Sequence, residues 1–206
     1  YEIVSRDWSS DVCSSDLAAA GGEIDVSGLA GDDTLLLNES ASGGFIIPTV
    51  LFDGGDGADV LRTSTQAVDQ YQVSSLAVPV RSLMMTPSGN QTARTANVSD
   101  VELLEINLAP SFAMFEQTNQ ADNVTLASGG TIDMQLTSGA FVVNFKNPTS
   151  TIAIYGVGGD DSIVLQSLNA NFNGSVFVSG GDGADTINGH VAPPASWYLV
   201  PWCRPY

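Results

Sequence analysis

The sequence predicts an all-β protein, a parallel β-solenoid of short strands joined by Gly/Asp turns. Three observations support this fold class. Short apolar segments alternate with turn residues, the same pattern of turns occurs near both ends of the chain, and no segment has the length and periodicity of a helix. A β-sandwich is the alternative, because it also consists of short strands separated by frequent turns.

Composition limits both the size of the fold and its partners. The chain has 206 residues, 43% of them hydrophobic, which is enough for a core in one or two domains. Acidic residues outnumber basic ones 23 to 6, so the formal charge of −17 disfavours nucleic acid and anionic membranes and favours cations. The longest apolar runs are far shorter than the roughly 20 residues of a membrane span. We therefore expect no nucleic-acid partner and no membrane span.

The two ends differ in composition from the rest of the chain. Both cysteines and all three tryptophans lie within the first 17 or the last 10 residues. Residues 6–17 (RDWSSDVCSSDL) read as an in-frame translation of a sequencing-library adapter, so we interpret 1–17 as artefactual or disordered. Residues 191–206, with four prolines, form a doubtful irregular tail. The predicted domain is 18–190, an internal fragment, and the two cysteines are not interpreted as a disulfide.

An internal repeat organises this domain. The segment 24–37 (IDVSGLAGDDTLLL) matches 152–165 (IAIYGVGGDDSIVL), and 50–61 (VLFDGGDGADVL) matches 176–187 (VFVSGGDGADTI). The domain thus has two related halves, 24–61 and 152–187, each with the order strand, Gly/Asp turn, strand, connection, strand, Gly/Asp turn, strand.

Strands are predicted wherever short apolar or β-branched segments flank these turns or continue between the halves. They are Ile24–Val26, Thr34–Leu37, Val50–Phe52, Val101–Leu108, Val124–Leu126, Ile132–Leu136, Phe141–Phe145, Ile152–Ile154, Ser162–Leu165 and Val176–Val178. The segment Val101–Leu108 has a composition compatible with a helix, but it is short and lacks a C-cap glycine. For residues 63–97, the sequence predicts a decorated loop or an irregular coil, with strands only at Tyr71–Val73 and Val78–Val80.

The turns resemble the calcium-binding nonapeptide G-G-x-G-x-D-x-U-x of RTX, or hemolysin-type, proteins, in which U is a large aliphatic residue. The segments 54–61 and 180–187 fill every specified position. The segments 28–35 and 156–163 depart from it at the second position, where Leu29 and Val157 replace glycine. A fifth segment, 117–124 (QTNQADNV), keeps only Asp122 and Val124 and is interpreted as a degenerate copy without metal.

The resemblance implies calcium as the cofactor, and the residue types fit this chemistry. Calcium takes six to eight oxygen ligands, and glycine lets backbone carbonyl groups approach closely. Asp33 and Asp59 are 26 residues apart and Asp161 and Asp185 are 24 apart, about one solenoid coil, so each pair is expected to share an ion. The predicted calcium turns are 28–33, 53–59, 156–161 and 180–185. The site residues are Asp32, Asp33, Asp56, Asp59, Asp160, Asp161, Asp182, Asp185, Gly28, Gly54, Gly156 and Gly180.

The predicted function is that of a calcium-binding structural or adhesive module of a larger secreted or cell-surface protein, whose folding calcium drives. We expect it to be extracellular or at the cell surface, and surface or matrix glycans and proteins are further candidate partners. We predict no enzymatic activity, because the basic residues Arg62, Arg81, Arg94, Lys146 and His190 are scattered along the chain. A polysaccharide-active β-helix enzyme fragment and a metal-free structural spacer, in which Gly and Asp only form turns, are the alternatives.

Overall fold

A computed structural model of the chain describes residues 2–4, 23–38, 49–64, 68–76, 80–87, 93–129, 131–189 and 196–200. These residues form strands and turns and no helix, which confirms the predicted all-β class. In this part of the chain, accordingly, no helix is long and apolar enough to cross a membrane. The interpretations of 1–17 and 191–206 lie outside the described residues, apart from the backbone of one short strand in each.

The strands form two sheets, of ten and eight strands. The first sheet has the order β1-β2-β4-β8-β7-β6-β10-β14-β16-β18, with β1 (Glu2–Val4), β2 (Glu23–Ser27), β4 (Thr49–Asp53), β6 (Val68–Ser74), β7 (Arg81–Pro87), β8 (Arg94–Ser99), β10 (Phe112–Glu116), β14 (Thr151–Tyr155), β16 (Ser175–Ser179) and β18 (Ser196–Val200). The second has the order β17-β15-β11-β12-β13-β9-β5-β3, with β3 (Thr34–Asn38), β5 (Val60–Ser64), β9 (Leu103–Ile106), β11 (Asn123–Ser128), β12 (Met134–Ser138), β13 (Phe141–Phe145), β15 (Ser162–Leu165) and β17 (Thr186–Gly189).

The chain passes back and forth between the sheets. We call one strand of the first sheet, the turn after it and the next strand of the second sheet a circuit. In both predicted halves, each strand pairs in parallel with its counterpart one circuit later: β2 with β4, β3 with β5, β14 with β16 and β15 with β17. Equivalent residues of successive circuits therefore lie side by side.

Both sheets are nevertheless mixed, so the arrangement is not parallel throughout. The strands β6, β7 and β8 form an antiparallel meander in the first sheet, and β11, β12 and β13 form one in the second. The prediction of a loop or coil over residues 63–97 is therefore wrong. The predicted strand Tyr71–Val73 is confirmed within β6, whereas Val78–Val80 lies outside the described residues except for its last residue. In β8, only Ala96 and Val98 face the core, and the other four residues of the strand are polar. The apolar signal of this strand is therefore weak. The segment Val101–Leu108 contains β9, which confirms a strand there.

The core lies between the two sheets and includes side chains from all parts of the domain. Tyr71 and Phe115, both on the first sheet, pack edge to face with ring centroids 5.9 Å apart. Phe115 also contacts Phe145 of the second sheet at 4.9 Å. All three rings are essentially buried, and burying such side chains is the main favourable contribution to folding.

The turns that lead from the first sheet to the second lie along one edge, because the strands that precede them all run in the same direction. We call 28–33, 54–59 and 100–102 the N-terminal turn stack. The turns 117–122, 156–161 and 180–185 are the C-terminal turn stack. The four predicted calcium turns lie in these stacks, two in each.

Candidate metal centre

Successive Gly/Asp turns are joined by backbone hydrogen bonds. In the N-terminal turn stack, Ala30 and Asp56 form a parallel β-bridge, and the Gly31 N–H donates to the Asp56 carbonyl oxygen at 2.8 Å. Gly158 and Asp182 form the equivalent bridge in the C-terminal turn stack. The turns that the sequence pairs one circuit apart are thus direct neighbours.

In the turns 54–59, 156–161 and 180–185, the last aspartate points along the stack toward the turn before it. The Asp33 N–H donates to Asp59 Oδ1 at 2.8 Å, and the Asp59 N–H donates to Glu102 Oε2 at 2.7 Å. Sequence reasoning missed Glu102, because its turn is only three residues long and has no glycine. Its longer side chain reaches the place that an aspartate occupies in the other turns.

The C-terminal turn stack repeats this arrangement. The Asp122 N–H donates to Asp161 Oδ1 at 2.8 Å, and the Asp161 N–H donates to Asp185 Oδ1 at 3.0 Å. The degenerate turn 117–122 is thus part of the stack, although its carboxylate is also occupied: Asp122 Oδ2 accepts from the N–H and the hydroxyl of Thr118. We call the carboxylates of Asp33, Asp59, Asp161 and Asp185 the inner carboxylates.

Three inner carboxylates keep one oxygen without a hydrogen-bond partner in the described part of the chain. Asp33 Oδ2, Asp59 Oδ2 and Asp161 Oδ2 are all buried and unpaired. Asp59 is 0% exposed and Asp161 is 2% exposed. A buried, unpaired carboxylate oxygen is costly, so it needs a proton, a water molecule or a cation to compensate it.

Each of these oxygens faces a backbone carbonyl of the next turn across the first glycine of its own turn. A Cβ atom added to Gly156 would lie 2.1 Å from Asp161 Oδ2 and 2.2 Å from the Gly180 carbonyl oxygen. A Cβ atom on Gly28 would lie 2.6 Å from Asp33 Oδ2 and 2.4 Å from the Gly54 carbonyl oxygen. No side chain fits at the first glycine, so glycine is required there. A carboxylate oxygen and a carbonyl oxygen lie close together beside it.

The other predicted aspartates have different environments. Asp32 and Asp160 are exposed, and their Oδ1 atoms accept from the N–H groups of Ala58 and Ala184 at 3.0 and 2.9 Å. Asp56 and Asp182 are exposed at the turn tips, where their backbones form the β-bridges. The eight predicted aspartates therefore comprise four inner carboxylates, two caps of the next turn and two tip residues.

The burial of the inner carboxylates changes their acidity. Burial raises the pKa of Asp161 from 3.8 to about 6; the charges of Asp122 and Asp185 add to this, and the hydrogen bond from the Asp122 N–H opposes it. Burial also raises the pKa of Asp59, against the hydrogen bond from the Asp33 N–H. Both carboxyl groups therefore gain from a proton or a nearby positive charge.

Acidic side chains alone do not form a cation site here. Within the described ranges, no three or more His, Cys, Asp or Glu side chains converge so as to hold a metal ion. A calcium site at the turns would have to use backbone carbonyl oxygens beside the inner carboxylates. Such oxygens are ordinary calcium ligands, and those of Gly54 and Gly180 face the unpaired carboxylate oxygens.

Comparison with known proteins gives no independent assignment. No family model matches the chain, and no curated protein or solved structure matches it either. The resemblance to the RTX repeat therefore depends on the motif residues alone.

Proposed function

We propose that the chain is a calcium-binding structural module, a β-solenoid whose Gly/Asp turns form its cation-binding edge. The observation that carries this proposal is the set of three buried, unpaired inner carboxylate oxygens, of Asp33, Asp59 and Asp161. Each lies beside the first glycine of its turn together with a backbone carbonyl oxygen, that of Gly54 for Asp33, Asp100 for Asp59 and Gly180 for Asp161. Only oxygen ligands are present, as calcium requires.

The chain's own residues would hold the ion in defined roles. The Oδ2 atoms of Asp33, Asp59 and Asp161 would supply charge, and the carbonyl groups of Gly54, Asp100 and Gly180 would complete the set from the next turn. The Oδ1 atoms of Asp59 and Asp161 accept hydrogen bonds from the N–H groups of Asp33 and Asp122, which fixes these two carboxylates in place. Bound calcium would supply the positive charge that compensates the inner carboxylates and would link successive circuits.

This module fits the secreted or cell-surface setting that the motif implies. A net charge of −17 opposes compaction of the chain, and bound calcium reduces that repulsion. Because calcium would bind the folded state alone, it would stabilise the fold by about 2.7 kcal/mol at a concentration 100 times its dissociation constant. Folding would then follow export into a calcium-rich medium.

A metal-free structural spacer is the second candidate, and a specific observation favours it. Four hydrogen bonds already connect backbone N–H groups to carboxylates along the stacks, at Asp59, Glu102, Asp161 and Asp185. Such bonds to a charged acceptor stabilise by roughly 1.5–3 kcal/mol each. In this reading, Asp161 is protonated or solvated and no metal is needed.

Calcium titration of the full chain separates these candidates. We expect a calcium-dependent rise in melting temperature of roughly 5–10 °C at millimolar calcium, with binding heat in calorimetry. Asp161→Asn and Asp59→Asn should lose most of this rise, whereas Asp25→Asn, which removes the same charge from the exposed face of β2, should keep it. If magnesium, or sodium chloride of equal ionic strength, produces the same rise in melting temperature, the result supports the spacer instead.

A further inference from the structure

A cleft of about 670 Å³, lined by both polar and apolar groups, lies on the outer face of the second sheet, toward the ends of β5, β9 and β13. The turn stacks lie at the edge where β5 and β9 begin, and the cleft lies toward the other ends of these strands, so the two regions share no side chain. Arg62 and Glu105 form its floor from neighbouring strands, and residues 131–133 form a wall. Its size is within the range of small-ligand sites.

The wall is held by specific hydrogen bonds. The Thr131 hydroxyl donates to Glu105 Oε1 at 2.6 Å and accepts from Asn144 Nδ2 at 3.1 Å. Asp133 Oδ2 accepts from the Asn147 N–H at 3.0 Å. The cleft is thus a built feature with fixed carboxylates rather than a gap between two loops.

The donors at the cleft are largely unused. Arg62 contacts Glu105 through Nε only, its side chain is 50% exposed, and its terminal nitrogens make no hydrogen bond with the described residues. Lys146, the only lysine of the chain, forms no ion pair with any described residue although acidic residues outnumber basic ones 23 to 6. The terminal nitrogens of Arg62, beside its ion pair with Glu105, and the Lys146 side chain thus line one cleft in a strongly acidic protein.

The chemistry of the lining limits the ligand. Cationic donors, the exposed Asn107 and the carboxylate of Asp133 suit a ligand that carries both carboxylate and hydroxyl groups. Leu36 and Ile132 add apolar surface beside these polar groups, which suits the carbon face of a sugar ring. A ligand with many negative charges is disfavoured, because the net charge of −17 repels it more strongly than two cations in the cleft attract it.

We propose that this cleft binds an acidic oligosaccharide, with Arg62 and Lys146 holding its carboxylates and Asn107 and Asp133 its hydroxyl groups. Glu105 is a positioning residue, because it contacts Arg62 and Thr131 and orients the guanidinium group. The cleft is a binding site and not a catalytic one, since both of its carboxylates already accept hydrogen bonds. It does not depend on calcium at the turns.

Calorimetric titration of the full chain with a tetramer of alternating glucose and glucuronic acid, which carries two carboxylates, tests the proposal, with a glucose tetramer of the same linkage as the neutral probe. Measurements with and without calcium separate this result from that of the turns. We expect the acidic tetramer to bind in both conditions and the neutral one at least tenfold more weakly, because charge-assisted hydrogen bonds contribute most of the selectivity.

Variants locate the binding. Arg62→Gln and Lys146→Gln should each weaken it about tenfold or more, Lys146→Arg should retain most of it, and Arg94→Gln, which removes the same charge from β8, should leave it unchanged. Circular dichroism checks that each variant is folded. Equal binding of both tetramers, equal binding of acetate or glucuronate monomer, no binding at all, or equal weakening by Arg94→Gln would each overturn the proposal.

Discussion

The turns with the full motif, 54–59 and 180–185, and those with the partial motif, 28–33 and 156–161, have the same length and lie at the same edge, yet they differ at the second position. The backbone there has positive φ in all four, 75° at Leu29 and 79° at Val157 against 88° at Gly55 and 98° at Gly181. Conformation alone therefore does not explain where glycine is retained.

The neighbouring turn explains it. A Cβ atom added to Gly55 would lie 2.2 Å from the Leu29 carbonyl oxygen, and one added to Gly181 would lie 2.3 Å from that of Val157. The full motif occurs where a turn stacks on another Gly/Asp turn. The partial motif occurs at 156–161, where the preceding turn is the degenerate 117–122, and at 28–33, the first Gly/Asp turn among the described residues.

The third glycine of the motif gives the largest expected effect. A Cβ atom on Gly57 would lie 2.0 Å from the Gly31 carbonyl oxygen, whereas one on Gly31 would have no atom of the described residues within 4 Å. We expect Gly57→Ala to reduce the free energy of unfolding by about 3–5 kcal/mol, and Gly31→Ala by about 1–2 kcal/mol from its positive φ alone. Urea unfolding of both variants measures this, and equal losses would contradict the role of stacking.

The pH dependence of stability gives the next largest effect. Because the pKa of Asp161 in the folded state, about 6, lies above its ordinary value of 3.8, the folded chain binds more protons than the unfolded chain between these pH values. This contribution to stability is full below about pH 4 and is lost as the pH rises through 6. In calcium-free buffer, this group should therefore raise the free energy of unfolding by about 2–3 kcal/mol on acidification from pH 7 to pH 4. The protonation of other carboxylates adds its own contribution to the measured change.

Two controls isolate Asp161 in this pH response. Asp161→Asn should remove most of the increase, and the exposed variant Asp25→Asn should retain it. If calcium binds at the turns, millimolar calcium should also flatten the response, because a nearby cation favours the ionised carboxylate. An unchanged response in Asp161→Asn would show that another group is responsible.

The sequence predicted the parts of the fold that local chemistry determines. Repeated Gly/Asp motifs marked the stacked turns, and the spacing from Asp33 to Asp59 identified neighbours that the structure connects directly. It did not predict the meander β6–β8, whose solvent-facing residues dilute the apolar pattern. Nor did it predict Glu102, because the role of that side chain follows from the pairing of β8 with β4 across more than 40 residues.

A stabilising substitution sharpens the comparison at the second position. Leu29 is 52% exposed and has φ of 75°, so its side chain contributes little burial and its backbone is strained by about 1–2 kcal/mol. Leu29→Gly should stabilise the protein by about 0.5–1 kcal/mol after the entropic cost of glycine. The reverse change, Gly55→Leu, should destabilise the protein severely. If urea unfolding of Gly55→Leu showed an unchanged free energy of unfolding, the close approach of the turns would be refuted.

The fifth position provides the smallest expected effect and completes the comparison. Partial turns have aspartate there and full turns have alanine, because Asp32 Oδ1 accepts from the Ala58 N–H of the next turn. Asp56 is equally exposed, but its side chain makes no hydrogen bond with the described residues. Asp32→Ala should therefore cost about 0.5–1 kcal/mol in urea unfolding and Asp56→Ala close to nothing. Equal effects of the two variants would mean that the hydrogen bond does not hold the turns together and that only net charge matters at this edge.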